Sequence, residues 1–211
     1  MDRGGSARYQ NRNAAAVEGA DMGEPPKISV LGLGYVGLPL AVAFAAHYPV
    51  TGFDVKAERV QEIANGFDRT GEVDEEALKA SRLEVTADAE ALRGSDIFIV
   101  TVPTPVDADN QPDLGALQGA CEILGPVIAP GATVVFESTV YPGVTEEVCG
   151  AWLEATSGLA SGTDFFLGYS PERINPGDKE HTVGRIAKVV SGQTPEVVER
   201  LATIYRMVTT G

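Results

Sequence analysis

Residues 28–37 read Ile-Ser-Val-Leu-Gly-Leu-Gly-Tyr-Val-Gly, and residues 38–46 continue Leu-Pro-Leu-Ala-Val-Ala-Phe-Ala-Ala. An apolar run enters a Gly-x-Gly-x-x-Gly turn directly, and an Ala-rich segment of helical spacing follows. That order, strand then glycine turn then helix, makes the glycines informative. Gly32 lets the chain turn sharply out of the strand. Gly34 lets the backbone approach a pyrophosphate with no Cβ in the way, and Gly37 lets the helix pack close on the sheet. The free N–H groups and dipole of the helix start suit phosphate. Pro39 fits the first turn, where a missing amide costs nothing.

Working outward, short apolar runs alternate with helical patterns. Strands are expected at residues 28–31, 50–53, 97–102 and 132–136, with weaker signals at 165–168 and 187–190. Helices are expected over 36–46, 57–64, 114–128, 145–155 and 195–207, the last opened by Pro195 behind Thr194. Such alternation predicts an α/β fold of the Rossmann type: a doubly wound, mostly parallel sheet with helices on both faces. Residues 1–26 lack apolar periodicity and close on Pro25-Pro26. They read as a flexible tail, or as sequence translated from a start codon upstream of the domain proper, before a Rossmann-type domain spanning 27–211.

The second strand pattern ends at Asp54, about twenty residues past the glycines, where a carboxylate accepts hydrogen bonds from the adenosine ribose. It repels a 2′-phosphate and so favours NAD over NADP, although Lys56 and Arg59 lie near. The alternative is that Asp54 caps the helix that follows. After the strand pattern at 97–102 comes Thr101-Val102-Pro103-Thr104-Pro105. A stiff loop at the carboxyl edge of a sheet lines a nicotinamide site or is an ordinary surface turn.

The 211 residues carry 30 acidic and 16 basic side chains, a net charge of −14. Nucleic acid and anionic membrane both reward clustered Lys and Arg, so neither is expected as a partner. No run of 18 apolar residues or signal-type h-region is present, and a cytoplasmic protein is the expectation. An anionic dinucleotide must then be held by local backbone donors against the overall field.

Five ordered motifs carry a wider resemblance: residues 28–37, Phe53-Asp-Val-Lys-Ala-Glu-Arg-Val60, Val102-Pro-Thr-Pro-Val106, Glu137-Ser-Thr-Val-Tyr-Pro-Gly-Val-Thr-Glu146, and residues 169–182, YSPERINPGDKEHT. Together they resemble the UDP-glucose/GDP-mannose dehydrogenase family, and within it the branch acting on UDP-N-acetylhexosamines for surface polysaccharides. The resemblance implies oxidation of a sugar C6 alcohol to the carboxylate with two NAD and a cysteine-bound intermediate. It implies cofactor contacts from Gly32, Leu33, Gly34, Tyr35, Val36, Gly37, Asp54 and Arg59, and from Thr101, Pro103, Thr104, Ser138 and Thr139. Thr139 is implied to position a catalytic water, and Glu172 to be the acid/base of thioester hydrolysis. Glu172, Arg173 and Asn175 are implied to meet the UDP-sugar. Read by itself, Glu172 is first a solvated loop acid, the commonest fate of a glutamate, although a carboxylate between Pro171 and Pro176 on a stiff loop can activate water; the resemblance reverses that order. The sequence ERINPG matches the N-acetylhexosamine branch; the UDP-glucose branch would place an aromatic residue at Arg173 and an acid at Pro176.

The family's nucleophilic cysteine, and the lysine and asparagine of its central helix, belong beyond Gly211. Cys121 and Cys149 sit in apolar helical patterns and read as small buried hydrophobes. The 211 residues alone are therefore expected to bind NAD without completing the oxidation; the alternative is a non-catalytic NAD-binding module or a truncated gene product. The full-length protein is implied to be a homodimer through the central helix. A β-hydroxyacid dehydrogenase fits ESTVYPG and SPERINPG poorly. No tyrosine has a lysine four residues on, which disfavours a short-chain dehydrogenase. His47 closes the first helix pattern and His181 follows Glu180; neither has a partner at ligand spacing, so no metal is expected.

Overall fold

The computed structural model describes residues 24–106, 109, 111–172 and 187–209. Seven strands form one sheet in the order β3-β2-β1-β4-β5-β6-β7. They are β1 (Ile28–Leu31), β2 (Val50–Phe53), β3 (Glu84–Thr86), β4 (Ile97–Val100), β5 (Thr133–Phe136), β6 (Phe166–Tyr169) and β7 (Ser191–Gly192). All neighbours pair in parallel except β6 and β7. Each parallel step needs a crossover, and six α-helices accompany the strands: α1 (Gly37–Ala45), α2 (Ala57–Ala64), α3 (Glu75–Ala80), α4 (Gly115–Leu124), α5 (Gly150–Ser157) and α6 (Pro195–Arg206). None of the described helices is long and apolar enough to cross a membrane.

The central strands are buried on both faces, and their period-2 alternation splits the core in two. Val30 of β1, Ile97 and Ile99 of β4 and Val135 of β5 pack with Leu40 and Phe44 of α1 and Leu201 and Tyr205 of α6. Leu31, Phe98, Val100, Val134 and Phe136 point the other way, onto Leu117, Cys121 and Leu124 of α4 and Leu153 of α5. A sheet covered on both sides is the doubly wound arrangement expected from the alternation. Its strand order reverses between β1 and β4, and there the carboxyl ends open a crevice.

The boundaries depart from expectation where local chemistry intervenes. The strand expected to reach Val102 stops at Val100, because Thr101 turns to brace the glycine turn. The helix expected to run to Ile128 stops at Leu124, since Pro126 has no amide with which to continue the hydrogen-bond ladder. The helix expected over 145–155 is a π-helical turn, Val144–Cys149, continued as α5. The strand expected at Ala187–Val190 is not one; pairing is confined to Ser191 and Gly192, opposite Tyr169 and Gly168. The short elements α3, β3 and a 3-10 turn at Ala89–Leu92 were not anticipated.

Candidate cofactor site

The crevice is a cavity of about 860 Å³ along the carboxyl ends of β1, β2, β4, β5 and β6. Its middle is the turn between β1 and α1. Gly32 has φ +92°, a conformation that side chains with a Cβ rarely adopt. A Cβ on Gly37 would lie 1.9 Å from the Gly32 carbonyl oxygen and 2.3 Å from Thr101 Oγ1, so α1 can approach the sheet only as glycine. A Cβ on Gly34 meets nothing within 4 Å, and the open space there belongs to the cavity. The amides of Gly34, Tyr35 and Val36 donate to no other described residue, and α1 has no side-chain cap. An open, uncapped helix start beside bare backbone is a phosphate cradle.

Asp54 stands on the cavity wall beyond β2. Its Oδ2 accepts from the Leu33 amide at 2.9 Å and its Oδ1 from the Lys56 amide at 2.9 Å. The alternative reading, a helix cap, is not met: the N-cap of α2 is Lys56, without a side-chain cap, and Asp54 instead ties the glycine turn to the backbone ahead of α2 at the edge of the cavity. Lys56 also lines the cavity. Arg59 does not, which corrects the placement implied by the resemblance. It lies 5% exposed, beneath the turn. Its Nε donates to the Leu33 carbonyl at 2.8 Å, while its two terminal nitrogens bind Glu62 and Asp68 at 3.2 and 2.7 Å. Leu33, also implied as a cofactor contact, likewise does not line the cavity: its side chain is in the core and its amide and carbonyl are held by Asp54 and Arg59.

The far side of the cavity is built from three loops tied together. The Thr101 hydroxyl sits 2.9 and 2.7 Å from the carbonyl oxygens of Leu31 and Gly32, fixing the turn from behind. Thr104 donates to the Thr139 carbonyl at 2.7 Å, and Ser138 to the Val102 carbonyl. Pro103 lines the cavity between them. Thr139 is exposed, and its hydroxyl makes no hydrogen bond among the described residues, leaving it open to a water or a ligand. The Glu172 amide donates to the Glu137 carbonyl at 3.1 Å, which brings the Glu172 side chain to the wall. Arg173, Asn175 and His181 lie outside the described residues.

Glu137 is a site residue that the sequence reading quoted but did not single out. It follows the apolar β5 directly, is 1% exposed and lines the cavity. Lys188 pairs with it and also lies 3.5 Å from Glu172, while the Tyr205 hydroxyl of α6 donates to it. Burial raises Glu137 above the usual carboxylate range, opposed by the Lys188 charge and by the two hydrogen bonds. Burial and the Glu137 charge push the Tyr205 phenol well up. An acid at the carboxyl end of a central strand was the available signal for Glu137. Lys188 and Tyr205 carried none, since Tyr205 falls on the apolar stripe of α6 and reads as core.

Cys121 and Cys149 are both buried in the apolar core shared by α4 and α5, and neither lines the cavity. The Cys121 thiol donates to the Cys149 carbonyl, and its hydrogen bonding with Cys149 and its burial push it up, away from nucleophile territory.

Comparison with known proteins agrees with the geometry. "Protein CapL" of Staphylococcus aureus is 56% identical over 183 residues, covering 87% of this chain and 43% of the relative. The UDP-N-acetyl-D-glucosamine 6-dehydrogenase of Pseudomonas aeruginosa is 54% identical over 185 residues, covering 87% and 44%. The solved UDP-D-ManNAc dehydrogenase of Pyrococcus horikoshii superposes with a TM-score of 0.80 at 36% identity, over 88% of this chain and 45% of that one. The chain thus spans less than half the length of the curated relatives it matches. The model of the UDP-glucose/GDP-mannose dehydrogenase family, NAD binding domain, matches residues 26–209. A glycine turn with open amides, an aspartate at the end of β2 and a crevice at the strand reversal are what such a domain requires, and the chain belongs to the UDP-glucose/GDP-mannose dehydrogenase family as its NAD-binding domain.

Proposed function

We propose that this chain is the cofactor-binding part of a cytoplasmic UDP-N-acetylhexosamine 6-dehydrogenase, a homodimer when full length, that makes a uronate for polysaccharide biosynthesis. The observation that carries the reading is the single cavity running from Asp54, across the open amides of Gly34 to Val36, to Ser138, Thr139 and Glu172. A dinucleotide laid along it has its adenosine ribose at Asp54, its pyrophosphate on the α1 start and its nicotinamide beyond β4. Bound NAD supplies the hydride acceptor. The protein's own residues orient it and exclude solvent, Thr139 offers a hydroxyl to hold a water, and Glu172 offers a carboxylate to take that water's proton.

Sequence similarity to the named UDP-N-acetyl-D-glucosamine 6-dehydrogenase supports this substrate class. The test is direct titration of NADH into the purified chain, read as enhanced nicotinamide fluorescence. Asp54→Ala is expected to weaken the response about tenfold, the cost of one or two hydrogen bonds to an ionised acceptor. An intact, folded chain that leaves the fluorescence unchanged sinks the cofactor assignment.

A further inference from the structure

Two glycines of the α4 region have opposite surroundings. A Cβ on Gly125, just past the helix, would lie 2.0 Å from Thr156 Oγ1 of α5. Glycine there lets the two helices pack, and the Thr156 hydroxyl reaches the Cys121 carbonyl at 3.3 Å. Gly119 stands in the middle of α4. A Cβ there meets nothing within 4 Å, so no described neighbour requires glycine. Its backbone is ordinary helix, where glycine is a poorer residue than alanine. The space it leaves belongs to the cavity. Ala116, Gly119, Ala120 and Ile123 all line it, the i, i+3, i+4, i+7 spacing of one helix face. Leu31 and Phe53, at the ends of β1 and β2, share the apolar core with α4 and line the same cavity beside Asp54.

The family model matched by this chain is an NAD-binding domain. A dinucleotide whose adenosine ribose meets Asp54 carries its base into the apolar part of the crevice, between the strand ends and this face of α4. A flat ring gains most of its contact there by dispersion and burial, which demand a close fit. We propose that Gly119 is a specificity-determining residue of the cofactor site: its missing side chain sets the depth of the slot that admits the base. The inference rests on the cofactor orientation described above. Gly125 is small for the sake of the fold, and Gly119 for the sake of the ligand. The helix gives up stability at Gly119 to keep the slot open, so stability and affinity move in opposite directions when the slot is filled.

The experiment measures thermal unfolding and the dissociation constants of NADH and ADP-ribose, by fluorescence and calorimetry, for the unaltered chain, Gly119→Ala and Gly119→Leu. Gly119→Ala is expected to raise Tm by about 2–4 °C, the gain from replacing a helix-interior glycine. The same variant is expected to weaken NADH at least about fivefold, the low end of what an overpacked contact costs. ADP-ribose shares the adenosine half and is expected to weaken equally. Gly119→Leu is expected to deepen both losses; if its bulk prevents folding, the alanine variant carries the test alone. A Gly119→Ala chain that melts higher and binds both ligands as before overturns the proposal. So does loss of NADH with ADP-ribose spared, which turns α4 toward the nicotinamide half. A fall in Tm together with affinity assigns Gly119 to packing and overturns it as well. If the unaltered chain binds neither ligand, the cofactor reading falls and this inference with it; if it binds both and the alanine variant does too, only this inference falls.

Discussion

Two glycines separated by three positions do opposite work, and each is separately testable. Gly37 is needed for packing: its missing Cβ makes room for the Gly32 carbonyl and the Thr101 hydroxyl. Gly37→Ala is expected to destabilise the chain by about 1–3 kcal/mol through overpacking, a drop of about 2–4 °C in Tm per kcal/mol for a domain of this size. Gly34 has no such neighbour, because an added methyl there meets empty space, and its place in the motif is proposed to serve the ligand. Gly34→Ala is expected to melt like the unaltered chain yet bind NADH at least about tenfold more weakly, since the methyl intrudes on the pyrophosphate path. Thermal unfolding beside NADH titration separates the two, and a Gly34→Ala variant with full affinity would show that the backbone is not approached there. The packing demand at Gly37 was legible in the sequence because the third glycine of the motif answers a steric need of its own. The position of Arg59 was not, since a cation near a dinucleotide site is read as a phosphate or ribose contact until its buried partners are seen.

Among the elements, α2 is tied to the glycine turn by a chain of buried polar contacts. Asp68 accepts from Arg59, from the Thr70 hydroxyl and from the amides of Thr70, Glu72 and Val73. Arg59 in turn holds the Leu33 carbonyl. Burial works to raise the Asp68 carboxyl, but the Arg59 guanidinium and the Thr70 and Val73 donors outweigh it and leave it below the usual aspartate range. A depressed acid stabilises the fold above its ordinary unfolded value and loses that contribution as pH falls through the folded value. Asp68→Asn is therefore expected to cost about 3–5 kcal/mol near neutrality, the cost of breaking a buried pair. The deficit relative to the unaltered chain shrinks in acid, where the native aspartate is itself protonated. Denaturant unfolding across the acidic range checks it; a deficit independent of pH assigns the effect to shape alone. This region is also where the sequence was least legible. β3 is an edge strand of three residues with an exposed glutamate at its start, and α3 is a six-residue helix held by its Asp74 cap. Neither has the apolar run or helical stripe that announced β1, β4 and α2, so the pattern had nothing to count. α6 was legible for the converse reason: Thr194 accepts from the Val197 amide at its start, and Val197, Leu201, Ile204 and Tyr205 repeat on one buried face.

For the molecule as a whole, the net charge of −14 confronts an anionic cofactor. The site answers with oriented amides and a helix start, which act over a few ångströms, while the repulsion acts over a Debye length. Added salt screens the second before the first. The association rate of NADH is accordingly expected to rise with ionic strength, the reverse of a site that steers its ligand. Stopped-flow fluorescence measures it, and a rate that falls with salt places a local cationic funnel at the mouth of the cavity. The mostly parallel sheet with helices on both faces followed from the alternation of strand and helix patterns, whereas its strand order and the reversal between β1 and β4 are seen only in the structure. The coupling of α6 to the cavity through Tyr205 and Glu137 did not follow, since it depends on how the last helix folds back over the sheet.

The sequence holds two cysteines, and both lie sealed between α4 and α5. Thiol-directed dyes and spin labels should therefore find the native chain silent. A single cysteine placed at an exposed rim position such as Tyr141, half exposed beside the Ser138-Thr139 loop, becomes a reporter with no background. Distance measurements from that label would register how the rim responds when the crevice fills, without first removing any native residue.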